Sequence, residues 1–204
     1  MSLISRVGAQ ILQLLYRNTE LEIYRAPLLT LRTKNSMRTQ NNVDVRFVVM
    51  EPSAAMEFCQ ASPEILRRFR SYFVGDSFCQ KCLMAFAGDS LAGWSMLHIG
   101  AREWPLTETG TFLELQSYDA VFYSAYTVPE FRGARVNWDL MLESARIAAA
   151  SGAQNFVAWH VRGNEAPRRN MTKLGLMHTE RHSSRWLLGK RVVMRKTRMK
   201  AMED

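Results

Sequence analysis

The chain has 204 residues, 47% of them apolar, with ten Phe and five Trp, which suits one domain with its own core or one domain with an N-terminal extension. There is no polar low-complexity tract, which excludes a disordered chain, and no run of eighteen apolar residues, so no transmembrane helix is expected. The formal charge of +8 favours anionic partners (phosphorylated cofactors, acidic proteins, nucleic acid or anionic lipid) without choosing among them, and much of it is local: Arg181 to Lys200 holds eight basic residues and no acid, and Arg67, Arg68 and Arg70 form a second cluster.

Leu3, Ile4, Val7, Ile11, Leu12, Leu14 and Leu15 recur at three and four residues and predict an N-terminal amphipathic helix. Such a helix packs on its own domain, pairs with a second subunit in a homodimer, or makes peripheral membrane contact through residues 3–15. Arg6 and Arg17 without an acid are compatible with a mitochondrial presequence, whereas Gln10 and Gln13 break up a secretory signal. Leu21 to Leu31 reads as extended, and Asn41-Asn42 ends a polar stretch. The expected division is therefore an appendage over residues 1–42 and a main domain over 43–204.

In the main domain Arg46 to Met50 reads as a buried strand ended by Pro52, with Ser53 as N-cap of a short helix through Cys59. Ser62-Pro63-Glu64 opens a second helix running to about Phe73. Cys82 to Ala87 and Leu91 to Ile99 predict a hairpin turning at Gly88-Asp89-Ser90, and Gly100 to Gly110 reads as a loop. Ala120 to Thr127 is strongly β-prone. Val136 to Ala150 is a helix whose close-packing face is Leu140, Met141, Ser144, Ala145 and Ala148, ended by Gly152. Phe156 to Val161 is a strand, Asn164 to Leu174 a helix stopped by Gly175, and Leu176 to Arg181 and Arg185 to Arg195 a final pair of strands turning near Ser183.

Cys59, Cys79 and Cys82 are too few and too uneven for a disulfide scaffold and fit a reducing, cytoplasmic setting. Cys79-x-x-Cys82 and His178-x3-His182 have zinc-like spacings, but two histidines four apart on a strand stand roughly 13 Å from each other. No metal is expected, and the thiols read as partly buried at a strand start.

The turn Val128-Pro129-Glu130-Phe131-Arg132-Gly133 carries the chemistry. A strand that ends in a Gly-containing turn and opens a helix is an anion site, because the first helical N–H groups lack partners and lie at the positive end of the helix dipole. Arg132 and Arg135 add charge, and a pyrophosphate is a natural guest.

This turn, followed by helix, strand, Asn164-Glu165-Ala166 and Lys173-Leu174-Gly175-Leu176, resembles the GNAT acyltransferase family over about residues 44 to 195. The resemblance implies an α/β (α+β) fold: a mixed, mostly antiparallel twisted sheet with two splayed parallel central strands, flanked by helices. It implies acetyl-CoA or another acyl-CoA in the gap between the strands ending at Thr127 and Val161. The backbone amides of Arg132, Gly133, Ala134, Arg135, Val136 and Asn137 would hold its pyrophosphate. Asn164 would contact the pantetheine arm, and the strand edge at Tyr126, Thr127 and Val128 would pair with it. The sequence departs from the family pattern in three places: Arg135 and Asn137 replace loop glycines, Met171 stands where a tyrosine often protonates the thiolate, and Tyr123 stands where a Glu base is common.

Amide formation needs an amine that loses a proton and a donor for the carbonyl oxygen. The catalytic candidates are Tyr123, Tyr126 and His160. His160 also reads as a satisfied strand-end histidine, and the tyrosines as β-forming aromatics. Tyr123 and Tyr126 face opposite sides of a regular strand, and only a bulge, which the family has, brings both to the gap. The expected activity is N-acylation of a primary amine on a small molecule or protein. One alternative is a long-chain enzyme fed by an acidic acyl carrier protein. Another is a non-catalytic acyl-CoA-binding or partner-binding module. No nucleic-acid motif appears.

Overall fold

The computed structural model describes residues 16–31, 43–60, 63–71, 80–188 and 190–199; the expected helix at 3–15, the polar stretch ending at Asn42, and Cys79 lie outside them. In chain order the elements are β1 (Tyr16–Pro27), β2 (Arg46–Met50), α1 (Pro52–Cys59), α2 (Pro63–Ser71), β3 (Gln80–Ala87), β4 (Ser90–Ile99), β5 (Glu103–Leu106), β6 (Thr111–Glu114), β7 (Asp119–Thr127), α3 (Val136–Ala150), β8 (Asn155–Val161), α4 (Glu165–Leu174), β9 (Met177–Leu187) and β10 (Lys190–Arg198). Eight strands form one mixed sheet in the order β10-β9-β1-β8-β7-β4-β3-β2. Every pairing in it is antiparallel except β7 with β8, which is parallel.

Helices cover both faces. On one, α1 and α2 bury Ala55, Cys59 and Phe69 against Leu21, Ile23, Trp94, Met96, Val121 and Tyr123. Burial there pushes the Cys59 thiol up to about 11. On the other, α3 and α4 bury Met141, Ala145, Ala148, Met171 and Leu174 against Leu97, Ala120, Phe122 and Phe156. The small residues of α3 let it lie close to the sheet, where Ser144 and Ser95 share a buried hydroxyl contact of 3.2 Å. Gly93 on β4 answers to both neighbours: a Cβ there would stand 2.4 Å from the Tyr126 carbonyl of β7 and 3.2 Å from Val136 of α3. Among the described residues no helix is long and apolar enough to cross a membrane.

Four expectations change. Residues 16–27, placed in the appendage, form β1 inside the sheet between β8 and β9. The reason is an apolar pattern on both faces: Leu21 and Ile23 on one, Tyr24 and Ala26 on the other. Arg46 to Met50 is an edge strand with Val49 exposed, and α1 starts two residues early with Pro52 in its first turn and Glu51 as N-cap. The Gly100 to Gly110 stretch contains β5, which pairs with β6 as a hairpin and sinks Trp104, Leu106 and Leu113 into the core. Ser183 does not turn the chain: β9 passes through it as one strand paired with β1, with Ser183 opposite Glu20 and buried Ser184 opposite Thr19, and the register shifts only further on, at Ile23 and Tyr24.

A polar chain fastens the hairpin to the sheet. Thr109 and Thr111 hydroxyls lie 2.8 Å apart, Thr111 Oγ1 is 2.8 Å from His182 Nδ1, and His182 Nε2 donates to Glu180 Oε2 at 3.1 Å. Lys196 Nζ is 3.4 Å from the same carboxylate. His178, by contrast, stacks on Tyr24 at 5.3 Å, so the two histidines serve separate contacts.

The His182 hydrogen bond, helped by Lys196, holds the Glu180 carboxyl below its ordinary value although burial opposes this. A lowered folded-state pKa gives stability that is present above the unfolded value and lost as the pH falls through the folded one. Glu180→Gln is therefore expected to cost about 1.5–3 kcal/mol near neutrality. The difference from the parent should shrink by about pH 3. Denaturant unfolding at the two pH values checks this.

Candidate active site

The parallel strands are joined at one end only. Asp119, Ala120, Val121 and Phe122 of β7 stand opposite Asn155, Phe156, Val157 and Ala158 of β8, and the pairing stops there. Beyond it β7 follows β4, with Tyr126 opposite Trp94 and Thr127 opposite Gly93. β8 follows β1, with His160 opposite Glu22 and Val161 opposite Leu21. The first residues past the junction are Tyr123 and Trp159, whose rings stack within 8° at a centroid distance of 6.4 Å. Joined parallel strands are spaced about 4.8 Å apart.

A bulge interrupts β7 next to the junction. Between Met96–Tyr123 and Trp94–Tyr126, β4 has one residue, Ser95, and β7 has two, Ser124 and Ala125. Ser124 takes a left-handed φ of +52°. The extra residue reverses the alternation, so Tyr126 packs on the same face as Tyr123, with its ring 4.5 Å from Trp94. A bulge also leaves a backbone group outside the ladder.

The gap opens into a cleft of about 400 Å³. Tyr123, Trp159 and Glu108 line it toward the face of α1 and α2; Asn137, His160, Asn164 and Met171 line it toward α3 and α4. Tyr123 is 5% exposed, and its phenol oxygen has no hydrogen-bond partner among the described residues. Burial raises its pKa, so the phenol stays protonated and acts as a donor.

His160 has one ring nitrogen hydrogen-bonded and the other without a hydrogen-bond partner among the described residues. Its Nδ1 donates to the Val161 carbonyl at 2.9 Å, its Nε2 lies 3.4 Å from Glu22 Oε2, and its ring rests on Tyr24 at 5.4 Å. The three candidates thus divide: the two tyrosines share one face, and His160 lies on the other beside a carboxylate.

At the loop, Val128 N–H donates to the Ala92 carbonyl at 3.0 Å, and Pro129–Phe131 make one 3-10 turn. Gly133 has φ +85° and Arg135, the N-cap of α3, φ +63°. The helix ladder begins with Asp139 N–H to the Arg135 carbonyl at 3.1 Å. The amides of Val136, Asn137 and Trp138 come before it, where a helix has no partners to offer. Arg135 keeps the left-handed conformation of a glycine and turns its guanidinium over Trp138, at 6.0 Å. Asn137 Oδ1 accepts from Asn170 Nδ2 at 3.1 Å, tying α3 to α4. Asn164 is the exposed N-cap of α4 and makes no side-chain cap bond.

Among the lining residues not foreseen are Glu108 and Trp159. Glu108 stands in a polar turn, Thr107-Glu108-Thr109-Gly110, with no catalytic code, and only the hairpin fold carries it to the gap. Arg67 is exposed on α2; the side chains of Arg68 and Arg70 lie outside the described residues.

A left-handed non-glycine residue costs about 1–2 kcal/mol. Arg135→Ala keeps that strain and loses the Trp138 contact, whereas Arg135→Gly releases the strain. The glycine variant is expected to melt about 2–4 °C above the alanine variant by calorimetry.

No protein-family model and no curated protein matches the chain. Solved structures share its shape. A conserved protein of unknown function from Staphylococcus epidermidis aligns at a TM-score of 0.50 and 11% identity, covering 91% of this chain and 66% of that one. A Drosophila protein aligns at 0.52 and 10%, covering 92% and 58%. The GCN5-related glucosamine N-acetyltransferase region of a fungal multi-domain GH3 beta-N-acetylglucosaminidase aligns at 0.57 and 12%, covering 90% and 23%. This chain spans less than two thirds of the length of each, and at these identities the likeness is one of fold.

Proposed function

We propose, starting from the GNAT fold that this chain has, that it transfers an acyl group from acyl-CoA, with acetyl-CoA as the default donor, to a primary amine. The observation that carries this is the parting of β7 and β8 immediately past Phe122 and Ala158, beside the start of α3. In this reading the amides of Val136 to Trp138, with Gly133 and Arg135, receive the pyrophosphate. Val128 N–H is already taken by Ala92, so strand alternation leaves Thr127 to present its backbone to the pantetheine arm. Asn164 stands along the same path.

The neutral amine attacks the thioester carbonyl carbon, and a C–N bond forms as the carbonyl electrons move to oxygen. A backbone N–H freed by the bulge at Ser124 and Ala125 supports that oxygen. Collapse breaks the C–S bond and expels the thiolate. Tyr123 gives the thiolate a proton and regains one from the nitrogen, leaving amide and free thiol.

Calorimetric titration with acetyl-CoA tests this. Saturable binding is expected, and no binding at millimolar concentration to folded, ligand-free protein overturns it. Tyr123→Phe is expected to keep the binding and to lower kcat about a hundredfold, measured by thiol release.

A further inference from the structure

We infer that the half of the cleft facing α1 and α2 is the acceptor subsite, and that Glu108 with the Tyr123 and Trp159 rings selects a cationic amine on a flat apolar body. This rests on the acyltransferase reading above, since it assigns the second substrate of the same cleft. Glu108 is the carboxylate among the lining residues, on a chain of formal charge +8. Among the described residues no Lys or Arg stands within ion-pair distance of it, and its partner is the Thr107 hydroxyl at 3.4 Å. Its carboxylate lines the cleft, while the Arg191 guanidinium packs on the same turn at Gly110 without reaching ion-pair distance among the described residues.

The turn that carries it is anchored. Gly110 N–H donates to the Leu106 carbonyl at 2.6 Å, Thr111 contacts His182 at 2.8 Å, and Trp104 lies buried 4.5 Å from the Tyr123 ring. The same cleft is lined by two parallel aromatic rings, and the buried Tyr123 phenol oxygen has no hydrogen-bond partner among the described residues. Aromatic faces and one carboxylate favour an organic ammonium and repel an anion. Glu108 is a binding and positioning residue here; the bonds made and broken are those already described.

The test uses 2-phenylethylamine as cationic probe, 3-phenylpropanoate as anionic probe, and Glu108→Gln and Glu108→Asp variants with unchanged melting temperatures. The amine is expected to bind the parent, to bind Glu108→Gln about tenfold or more weakly, and to recover in Glu108→Asp. The propanoate should not bind. In amine acylation KM should rise in Glu108→Gln while acetyl-CoA affinity stays the same. Equal amine binding by parent and Glu108→Gln, binding of the anion, or no amine binding by the parent overturns the inference. Loss of acetyl-CoA binding by the parent, with charge-dependent amine binding intact, overturns the acyltransferase reading alone.

Discussion

The cleft depends on β7 and β8 being held at one end while they part at the other, and Asp119 does the holding. It is fully buried at the first register pair of the junction, opposite Asn155. Its carboxylate accepts from Asn155 Nδ2 at 2.8 Å, from the Gln116 amide at 3.0 Å and from the Arg25 guanidinium. A buried carboxylate is tolerated when its lone pairs are filled and a cation faces it, and Asp119 meets both conditions. Arg25 comes from β1 and also donates to the Glu114 carbonyl at 3.0 Å, so one side chain ties β1, β7 and the end of β6 together at the base of the gap. With that end locked, the stacked rings of Tyr123 and Trp159 and the bulge at Ser124 act on the other end, where four register pairs give way to none.

The opening is not a soft seam, because each strand is held from outside. β7 continues against β4 up to Thr127, and β8 continues against β1 up to Val161. Opening or closing the gap would have to drag a neighbour along. This gives β1 a part in the site although none of its residues lines the cleft: Glu22 faces His160 across the strand pair and also meets Arg181 at 3.6 Å. His160 is tied to that brace through Nδ1 and the Val161 carbonyl, and its buried Nε2 stands 3.4 Å from Glu22 Oε2 without a hydrogen bond among the described residues. The same arrangement puts the amides at the start of α3 on one side of the sheet, and Glu108, at the tip of the β5–β6 hairpin, lines the cleft from the other.

Local signals were readable where chain geometry is local. The turn at Gly88-Asp89, the span of α3, the stop of α4 at Gly175 and the strand–turn–helix at Val128 to Val136 follow from periodicity, caps and glycine. What the sequence hid was long-range. Nothing in Tyr16 to Pro27 says that a strand at the start of the chain pairs with two strands near its end; its two-sided apolar pattern was the available sign, and the polar stretch after it drew attention away. Ser183-Ser184 looks like a turn because serine favours turns, yet the β1 ladder decides their conformation. Glu108 was illegible for a similar reason. Its role depends on where a hairpin lands, and a threonine-rich turn carries no trace of that. The tyrosines were legible only conditionally, since a bulge cannot be read from Ser124, which is not the residue that left-handed backbone prefers.

Arg135 takes a left-handed backbone that glycine adopts without steric cost. The position needs a left-handed backbone, which disfavours arginine, and the contact with the Trp138 ring offsets only part of this, about 0.5–1 kcal/mol at an exposed site. A cation at a helix N-terminus also meets the positive end of the dipole, so in the ligand-free protein both backbone and charge oppose this residue. The sign of the electrostatic part reverses if a doubly charged anion lies on the amides of Val136 to Trp138, because Arg135 and the dipole then attract the same group. Asp139, one turn further on, has its carboxyl raised by burial and lowered by Arg135, so the guanidinium also steadies the acid nearest to that anion. An arginine that is awkward when the loop is empty and favourable when an anion fills it would couple the stability of this loop to the anion of the proposed reading.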